Sequence, residues 1–415
     1  MASTLQETIR EDGLRVITKK LPNTKKMVLA VSALAGLADD HHDKEGLMHF
    51  WEHMAFKGTT TKDRQEVKKL LGRFAVSNAY TDWLRTCYYA VAPYIRAKLL
   101  QDIIFDIYLH PSLPNDEIEK EKEVVLNETA EYENDDYQKA DHELNKLLWK
   151  NNPVRRVSCG TPEGLANITR DALFETHKQW YGSANTAVVA VGNVRHDDLR
   201  ESAFKIFPSN GGSAARRVWD DEAEAAPAEK KIVIDRRDRA RGVVLWGCKV
   251  PRFSDRDKDI VTILDRMFGG GFDSILFEEI REKRGYVYAT WSSFMDIAGL
   301  AGGLTFGAKM LPARVAEVTD LVFDVACNCE LEKDHFLRTK EAVFDELLIS
   351  LEGPYEWLHK INQKVLDEGS ELSSLENYAK KRIKELSSIT FEEVLDMRQK
   401  LIKPERMACA IIKPV

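Results

Sequence analysis

The sequence predicts an α+β protein made of two duplicated α/β units, each with an antiparallel sheet and helices packed on one face. Three observations support this prediction. The chain has 415 residues, which is long for one ordinary hydrophobic core. Residues 208–229 are rich in small and charged side chains and lack apolar periodicity, as is typical of a linker. The residues after this stretch repeat the plan of those before it, which indicates a duplication.

The predicted linker divides the chain into a first domain at residues 1–207 and a second at residues 230–415. In the first domain, apolar runs between turn residues predict strands at residues 14–18, 27–35, 72–81, 86–92 and 185–193. Helical periodicity predicts helices at residues 44–56, 64–71, 94–108, 116–133, 137–150 and 169–177. Thr169 has the character of an N-cap for the last of these helices.

The predicted helix at residues 44–56 carries a metal-binding pattern. It contains His49, Glu52 and His53 in the order H-x-x-E-H. Residues four apart lie on one face of a helix, so both imidazoles can reach a single ion while Glu52 lies beside it as a base. A catalytic zinc ion has three protein ligands and one open position, so a third ligand is required from elsewhere.

The predicted helix at residues 116–133 offers such a ligand. Glu121 and Glu128 are seven residues apart, which is about two helical turns, and therefore share a face. Either motif alone could be an ordinary charged helix surface. The acidic face of this helix can meet the histidine helix and so offer a carboxylate beside the two histidines.

The two motifs, GLMHFWEHMAFKG at residues 46–58 and EKEVVLNE at residues 121–128, resemble the pitrilysin and insulysin family of zinc peptidases. The resemblance implies that Glu128 completes a site with His49 and His53, that Zn²⁺ is the cofactor, and that Glu121 supports the site. It also implies an endopeptidase in which Glu52 takes the proton of the attacking water.

The resemblance further implies how a peptide is held. In this family a strand ending in Asn-Ala-x-Thr pairs with the extended substrate, and Asn78, Ala79 and Tyr80 match that strand here. An Arg and a Tyr seven residues apart donate hydrogen bonds to substrate carbonyls, which corresponds to Arg281 and Tyr288. The alternative is a surface charge at Arg281 and a core tyrosine at Tyr288. Residues 82–85, Asp-Trp-Leu-Arg, are unusual for the family.

The second domain repeats the plan without the histidines. We expect strands at residues 232–235 and 242–247, with residues 275–283 in the place of the histidine helix and residues 286–290 in the place of the substrate strand. The run KEAVFDE at residues 340–346 echoes KEVVLNE at residues 122–128.

A chain of this length resembles the processing-peptidase branch, in which two half-length chains close like the halves of a clamshell around short or unfolded peptides. A homodimer is expected because one chain carries both motifs, and a heterodimer with a homologous chain stays open. The alternatives are a non-catalytic structural subunit of a similar complex, and a maturation peptidase with one dedicated substrate.

Composition restricts the other partners. The net charge of -7 argues against nucleic acid, which would require a basic surface. The sequence lacks an apolar run of membrane-spanning length and a signal-like beginning, so we expect a cytoplasmic protein without a membrane partner. The six cysteines are scattered, and we interpret them as reduced thiols.

Overall fold

The computed structural model describes residues 4–21, 23–209, 211, 226–227 and 229–415, so most of the predicted linker lies outside the described residues. The strands are β1 (Thr4–Ile9), β2 (Arg15–Lys20), β3 (Lys26–Ala33), β4 (Val76–Thr81), β5 (Thr86–Pro93), β6 (Thr186–Gly192), β7 (Lys231–Arg236), β8 (Gly242–Lys249), β9 (Val287–Ile297), β10 (Ala301–Met310) and β11 (Ala408–Pro414). The helices are α1 (Leu47–Ala55), α2 (Arg64–Leu71), α3 (Ala97–Leu109), α4 (Asn115–Asn134), α5 (Asp136–Leu148), α6 (Pro162–Ala166), α7 (Arg170–Trp180), α8 (His196–Ile206), α9 (Asp255–Gly269), α10 (Val315–Asn328), α11 (Lys333–Ile349), α12 (Pro354–Ile361), α13 (Tyr378–Ser387) and α14 (Phe391–Leu401). Two π-helical segments lie at Phe277–Glu282 and Asn362–Asp367.

Most of the strands and helices predicted for the first domain are confirmed, with ends that differ by a few residues. Helix α2 has the predicted bounds, and the Thr169 hydroxyl accepts a hydrogen bond from the Ala172 amide as the N-cap of α7. Strand β1 was not predicted because four of its six residues are polar, and its pairing partner within the described residues is β2. None of the helices in the described part of the chain is long and apolar enough to cross a membrane.

Each half of the chain contributes one sheet, and the strand orders match except that the first sheet has β1 as an additional edge strand. The first sheet has the order β1-β2-β6-β3-β5-β4, and the second has the order β7-β11-β8-β10-β9. The predicted duplication is therefore confirmed. The prediction of purely antiparallel sheets is wrong in one respect, because β2 pairs with β6, and β7 with β11, in parallel. These pairs form because the last strand of each half returns after the helices and inserts between two early strands, β6 between β2 and β3, and β11 between β7 and β8.

The two compact units exchange segments relative to the predicted domains. The first unit contains the described residues within 1–130, 156–217 and 350–376. The second contains the described residues within 131–155, 218–349 and 377–415. The division at residues 208–229 therefore does not separate the units by itself, since one helical segment of each half belongs to the unit of the other half.

The exchanged segments cover a second face of each sheet, whereas the sequence predicted helices on one face. In the first unit α12 packs on β3 and β6. In the second unit α5 packs on β8 and β11, and a Cβ atom added at Gly247 would lie 2.9 Å from the Leu144 side chain. The neighbouring Trp246 points the other way and donates a hydrogen bond to the Thr319 carbonyl of α10.

The counterpart of the histidine helix in the second unit is α9, so the prediction that residues 275–283 take this place is wrong. Helix α1 follows β3 and contacts β4, and α9 likewise follows β8 and contacts β9. Residues 275–283 correspond in order to α2. The prediction that residues 286–290 take the place of the substrate strand is confirmed, because β9, like β4, is the edge strand at one end of its sheet.

Candidate metal centre

Helix α1 begins at a close approach between two glycines. Gly46 has a φ of 95°, and a Cβ atom there would lie 2.7 Å from the Cα of Gly160, so only glycine fits without strain. The buried Asp40 carboxylate accepts hydrogen bonds from the amides of Gly46 (2.7 Å) and Met48 (2.8 Å). These bonds satisfy amide groups that the first turn of a helix leaves without partners.

The apolar face of α1 fixes how the helix is rotated. Phe50, Trp51 and Met54 are at most 1% exposed within the core of the first unit. Their burial leaves His49 and His53 on the opposite side, where each side chain is 18% exposed. The two imidazole centroids lie 4.6 Å apart, as expected for residues one turn apart.

Helix α4 brings Glu128 to this pair. Its Oε2 atom lies 3.8 Å from His49 Nε2 and 3.6 Å from His53 Nε2. One donor atom of each of the three residues lies within 4.8 Å of the other two. Two ligand atoms of a tetrahedral zinc ion lie roughly 3.4 Å apart, so the spacing and the donor set fit zinc. The residues predicted from the sequence are thus brought together.

Glu121 accepts a hydrogen bond from Nδ1 of His53, the ring nitrogen that faces away from Glu128. Its Oε1 atom lies 2.8 Å from His53 Nδ1, and its Oε2 atom pairs with Lys57. Burial opposes the ionisation of Glu121, but the hydrogen bonds from His53 and Lys57 outweigh it and lower the pKa of Glu121. An ionised carboxylate only accepts hydrogen bonds, so the proton of His53 is on Nδ1 and Nε2 is left to face Glu128.

The two histidines have different electrostatic surroundings. Burial lowers the pKa of His49 to about 4, which keeps this imidazole neutral and able to bind a metal. Burial also opposes protonation of His53, but the hydrogen bond to Glu121 and the nearby carboxylates outweigh it, so the pKa of His53 is raised. The buried Nδ1 of His49 has no hydrogen-bond partner among the described residues.

Glu52 lies beside the three ligands and is held by Thr81 of β4. The Thr81 hydroxyl donates a 2.7 Å hydrogen bond to Glu52 Oε2. Burial raises the pKa of Glu52, and the hydrogen bond from Thr81 opposes that rise. A half-buried carboxyl group with a raised pKa is suited to accept and return a proton near neutral pH.

The predicted substrate strand is an edge strand. Strand β4 pairs with β5 on one side and ends the sheet on the other, so its outer backbone edge is open among the described residues. Asn78 is exposed and Ala79 is 7% exposed. The Tyr80 hydroxyl accepts a hydrogen bond from Asn362 (3.1 Å) on the face opposite to that of Thr81.

Arg281 and Tyr288 belong to the second unit. Arg281 is exposed on the π-helical segment Phe277–Glu282, with its guanidinium 4.8 Å from the Phe277 ring centroid. Tyr288, on β9, is 63% exposed, and the Arg241 guanidinium lies 4.3 Å from its ring centroid. The alternative of a core tyrosine at position 288 is therefore wrong.

Three residues of the site were not assigned from the sequence: Asp40, Lys57 and Thr81. Lys57 could have been found, because it is four residues after His53 and thus on the same face of the helix. Thr81 lies in the quoted Asn-Ala-x-Thr run, but only the fold shows which way its side chain points. Asp40 accepts hydrogen bonds from amides six and eight residues later, across a loop, and no local sequence pattern indicates this contact.

Comparisons with solved structures show which fold the chain has. The chain superimposes on "a protease from Helicobacter pylori" with a TM-score of 0.88 and 19% identity, and each chain is covered to 100%. It superimposes on the "peptidase M16 inactive domain from Pseudomonas fluorescens" with a TM-score of 0.87 and 18% identity, covering 99% of this chain and 98% of the other. The fold is therefore that of M16-type peptidase structures.

Sequence comparisons identify the family. Residues 15–161 match the profile "Insulinase (Peptidase family M16)", and residues 167–343 match "Peptidase M16 inactive domain". An "uncharacterized zinc protease" of Mycobacterium leprae is 28% identical over 97% of this chain and 90% of its own. Another of Bacillus subtilis is 26% identical over 97% of both chains. The chain belongs to peptidase family M16, as a half-length member of a family whose relatives are named zinc proteases.

Proposed function

We propose that this chain is a zinc-dependent endopeptidase that cleaves short or unfolded peptides within a dimeric chamber. The observation that carries the proposal is the convergence of His49, His53 and Glu128 on one point, with Glu52 beside them. Membership of the M16 family supports a peptidase at family level.

The proposed ligands are the neutral imidazole of His49, the imidazole of His53 that Glu121 orients, and the carboxylate of Glu128. This set would leave one position open on a four-coordinate ion. When bound, zinc polarises the scissile carbonyl and lowers the pKa of water towards neutrality. Glu121 keeps His53 in the required tautomer through its 2.8 Å contact with Nδ1.

Glu52 is the proton carrier in this proposal. Its Oε2 atom is held by Thr81, so Oε1 is oriented to take the proton of the attacking water. The same carboxyl group then returns the proton to the leaving amine, which makes Glu52 both general base and general acid. The raised pKa of Glu52 suits both steps.

The peptide is held as an added strand on the open edge of β4, so recognition depends more on its backbone than on its side chains. The exposed Arg281 and Tyr288 supply donors for substrate carbonyls, in the same or in the partner active site. A homodimer would contain every element of the site because each chain carries both sets, and we place the protein in the cytoplasm.

Metal analysis and peptide hydrolysis test this proposal together. Purified protein should contain one zinc ion per chain and cleave an unstructured peptide, and Glu52→Gln should retain the zinc but lose hydrolysis. If the wild-type chain binds zinc without cleaving any unstructured peptide, alone or mixed with a homologous chain, the structural-subunit alternative is correct instead.

A further inference from the structure

Strand β4 has a different partner on each face. Thr81 points towards α1, where it donates to Glu52, whereas the adjacent Tyr80 points to the opposite face because side chains alternate along a strand. An edge strand paired on one side has fewer hydrogen bonds to fix its position than an interior strand. The contacts of Tyr80 are therefore well placed to hold β4.

Asp82 and Arg85 hold the turn that follows β4 through several hydrogen bonds. The Asp82 Oδ1 atom accepts hydrogen bonds from the amides of Leu84 (2.8 Å) and Arg85 (2.9 Å). The Arg85 guanidinium lies 2.6 Å from Asp82 Oδ2 and donates a 3.2 Å hydrogen bond to the Tyr80 hydroxyl. Arg85 is only 6% exposed, so this arginine is a buried charge that requires compensation.

Asp82 supplies part of that compensation, and the rest comes from a segment far away in sequence. Asp367 forms an ion pair with Arg85, and Asn362, which is fully buried, donates a 3.1 Å hydrogen bond to the Tyr80 hydroxyl. Both residues lie at the ends of the π-helical segment Asn362–Asp367. We call this segment with α12 the buttress (residues 354–367).

The π-helical geometry explains how both residues reach β4. In an α-helix, residues five apart point about 140° away from each other. In a π-turn the hydrogen bonds join residues five apart, so that such residues lie nearly above one another. The Glu368 amide donates to the Gln363 carbonyl in this manner (3.1 Å). The wider turn places Asn362 and Asp367 on the same side.

Two aromatic contacts extend the buttress along the same hairpin. The His359 ring stacks on Tyr80 with a centroid distance of 5.8 Å and an interplanar angle of 23°. The hydroxyls of Tyr355 and Tyr89 lie 3.2 Å apart. Both strands of the β4–β5 hairpin are therefore in contact with the buttress.

We infer that the buttress positions β4 for peptide pairing, and that Arg85 and Asp367 are positioning residues for extended substrates. The inference rests on the proposed function, since it concerns the strand to which the peptide is added. Neither residue touches the reacting atoms. Their effect is on binding of peptides long enough to pair along β4, which has six residues.

The test compares two substrates in Asp367→Asn, which removes the charge that pairs with Arg85 and keeps the shape. One substrate is an extended, unstructured peptide that covers β4, and the other is a blocked dipeptide amide that presents only the scissile bond. We expect KM for the extended peptide to rise about tenfold, as for the loss of one charge-assisted hydrogen bond. The kcat/KM for the dipeptide should stay within about twofold of wild type.

The matched control is Lys19→Met. The Lys19 ammonium lies 4.1 Å from the Trp357 ring centroid, so this variant weakens the docking of the buttress on β2 rather than on β4. It should lower the melting temperature and leave both KM values unchanged.

An unchanged KM for the extended peptide in folded, zinc-loaded Asp367→Asn overturns the inference and leaves the proposed function intact. An equal loss with both substrates also overturns it, because that result indicates a general structural role. If Asp367→Asn does not fold, Tyr80→Phe is used instead, because it removes the hydroxyl to which both Arg85 and Asn362 donate. An unchanged KM of this variant for the extended peptide also overturns the inference. A wild-type chain without peptidase activity rejects both proposals.

Discussion

Arg266 and Glu346 form an ion pair between α9 and α11 in the second unit, whose counterparts in the first unit are α1 and α4. Glu346 corresponds to Glu128, the proposed third zinc ligand, in the repeated KExVxxE pattern of the two helices. A guanidinium is always protonated and is not a metal ligand, so it neutralises the carboxylate that a metal would otherwise bind. The duplication therefore retains the carboxylate helix, but in the second unit its carboxylate is paired with an arginine.

The first prediction concerns zinc stoichiometry. We expect one zinc ion per chain by elemental mass spectrometry, and none in His49→Ala or His53→Ala at micromolar zinc. Arg266→Ala serves as the control and should keep one zinc ion, because freeing Glu346 does not create a second ligand set. Two zinc ions in the wild-type chain would contradict the assignment of a single centre.

The second prediction concerns Glu121. Glu121→Gln removes the carboxylate that orients His53 and pairs with Lys57, so zinc affinity should fall about 10- to 100-fold by competition with a chelator. Activity should return at saturating zinc. Glu119→Gln, on the exposed side of α4 beside Lys122, should bind zinc like the wild type.

The third prediction concerns Thr81. Thr81→Val removes the hydrogen bond to Glu52 without a large change in volume, and kcat should fall about 10-fold or more, because a hydrogen bond to an ionised carboxylate contributes about 1.5–3 kcal/mol. Zinc content should stay constant. Thr81→Ser keeps the hydroxyl and should restore most of the activity. A kcat equal to wild type in the valine variant would show that the general base does not depend on this contact.

The fourth prediction concerns the pH dependence of stability of the zinc-free protein. Burial raises the pKa of Asp40 to about 7, from an unfolded value of 3.8. A carboxyl group with a raised pKa binds its proton more tightly in the folded state, so its contribution is complete below about pH 4 and is lost as pH rises to about 7.

Denaturant unfolding with a chelator present, repeated from pH 4 to pH 8, measures this effect. The free energy of unfolding of the wild type relative to Asp40→Asn should decrease over that range. Asp40→Asn should also cost about 1–2 kcal/mol at low pH, since one amide at the start of α1 loses its acceptor. A difference between the two proteins that is independent of pH would contradict the prediction.

The proposed ligands His49 and His53 belong to a local pattern that the sequence shows directly, whereas Glu128 lies on another helix and was assigned through the family resemblance of its motif. Two histidines four apart share a face in any helix, and Glu121 and Glu128 do the same on α4. The place of α9 was predicted wrongly because residues 275–283 have the charge and length of a short helix, and only the order of strands shows that this segment matches α2. The contact between Arg85 and Asp367 spans 282 positions of the sequence, and no spacing rule indicates it.

The segments around α5 and α12 each complete the unit formed mainly by the opposite half of the chain. If the chain were expressed as two fragments divided between residues 209 and 226, each fragment would lack a helix that covers its own sheet. Each would instead carry the helix that covers the sheet of the other fragment. Neither fragment should fold when expressed by itself, whereas co-expression should allow the two to reassemble.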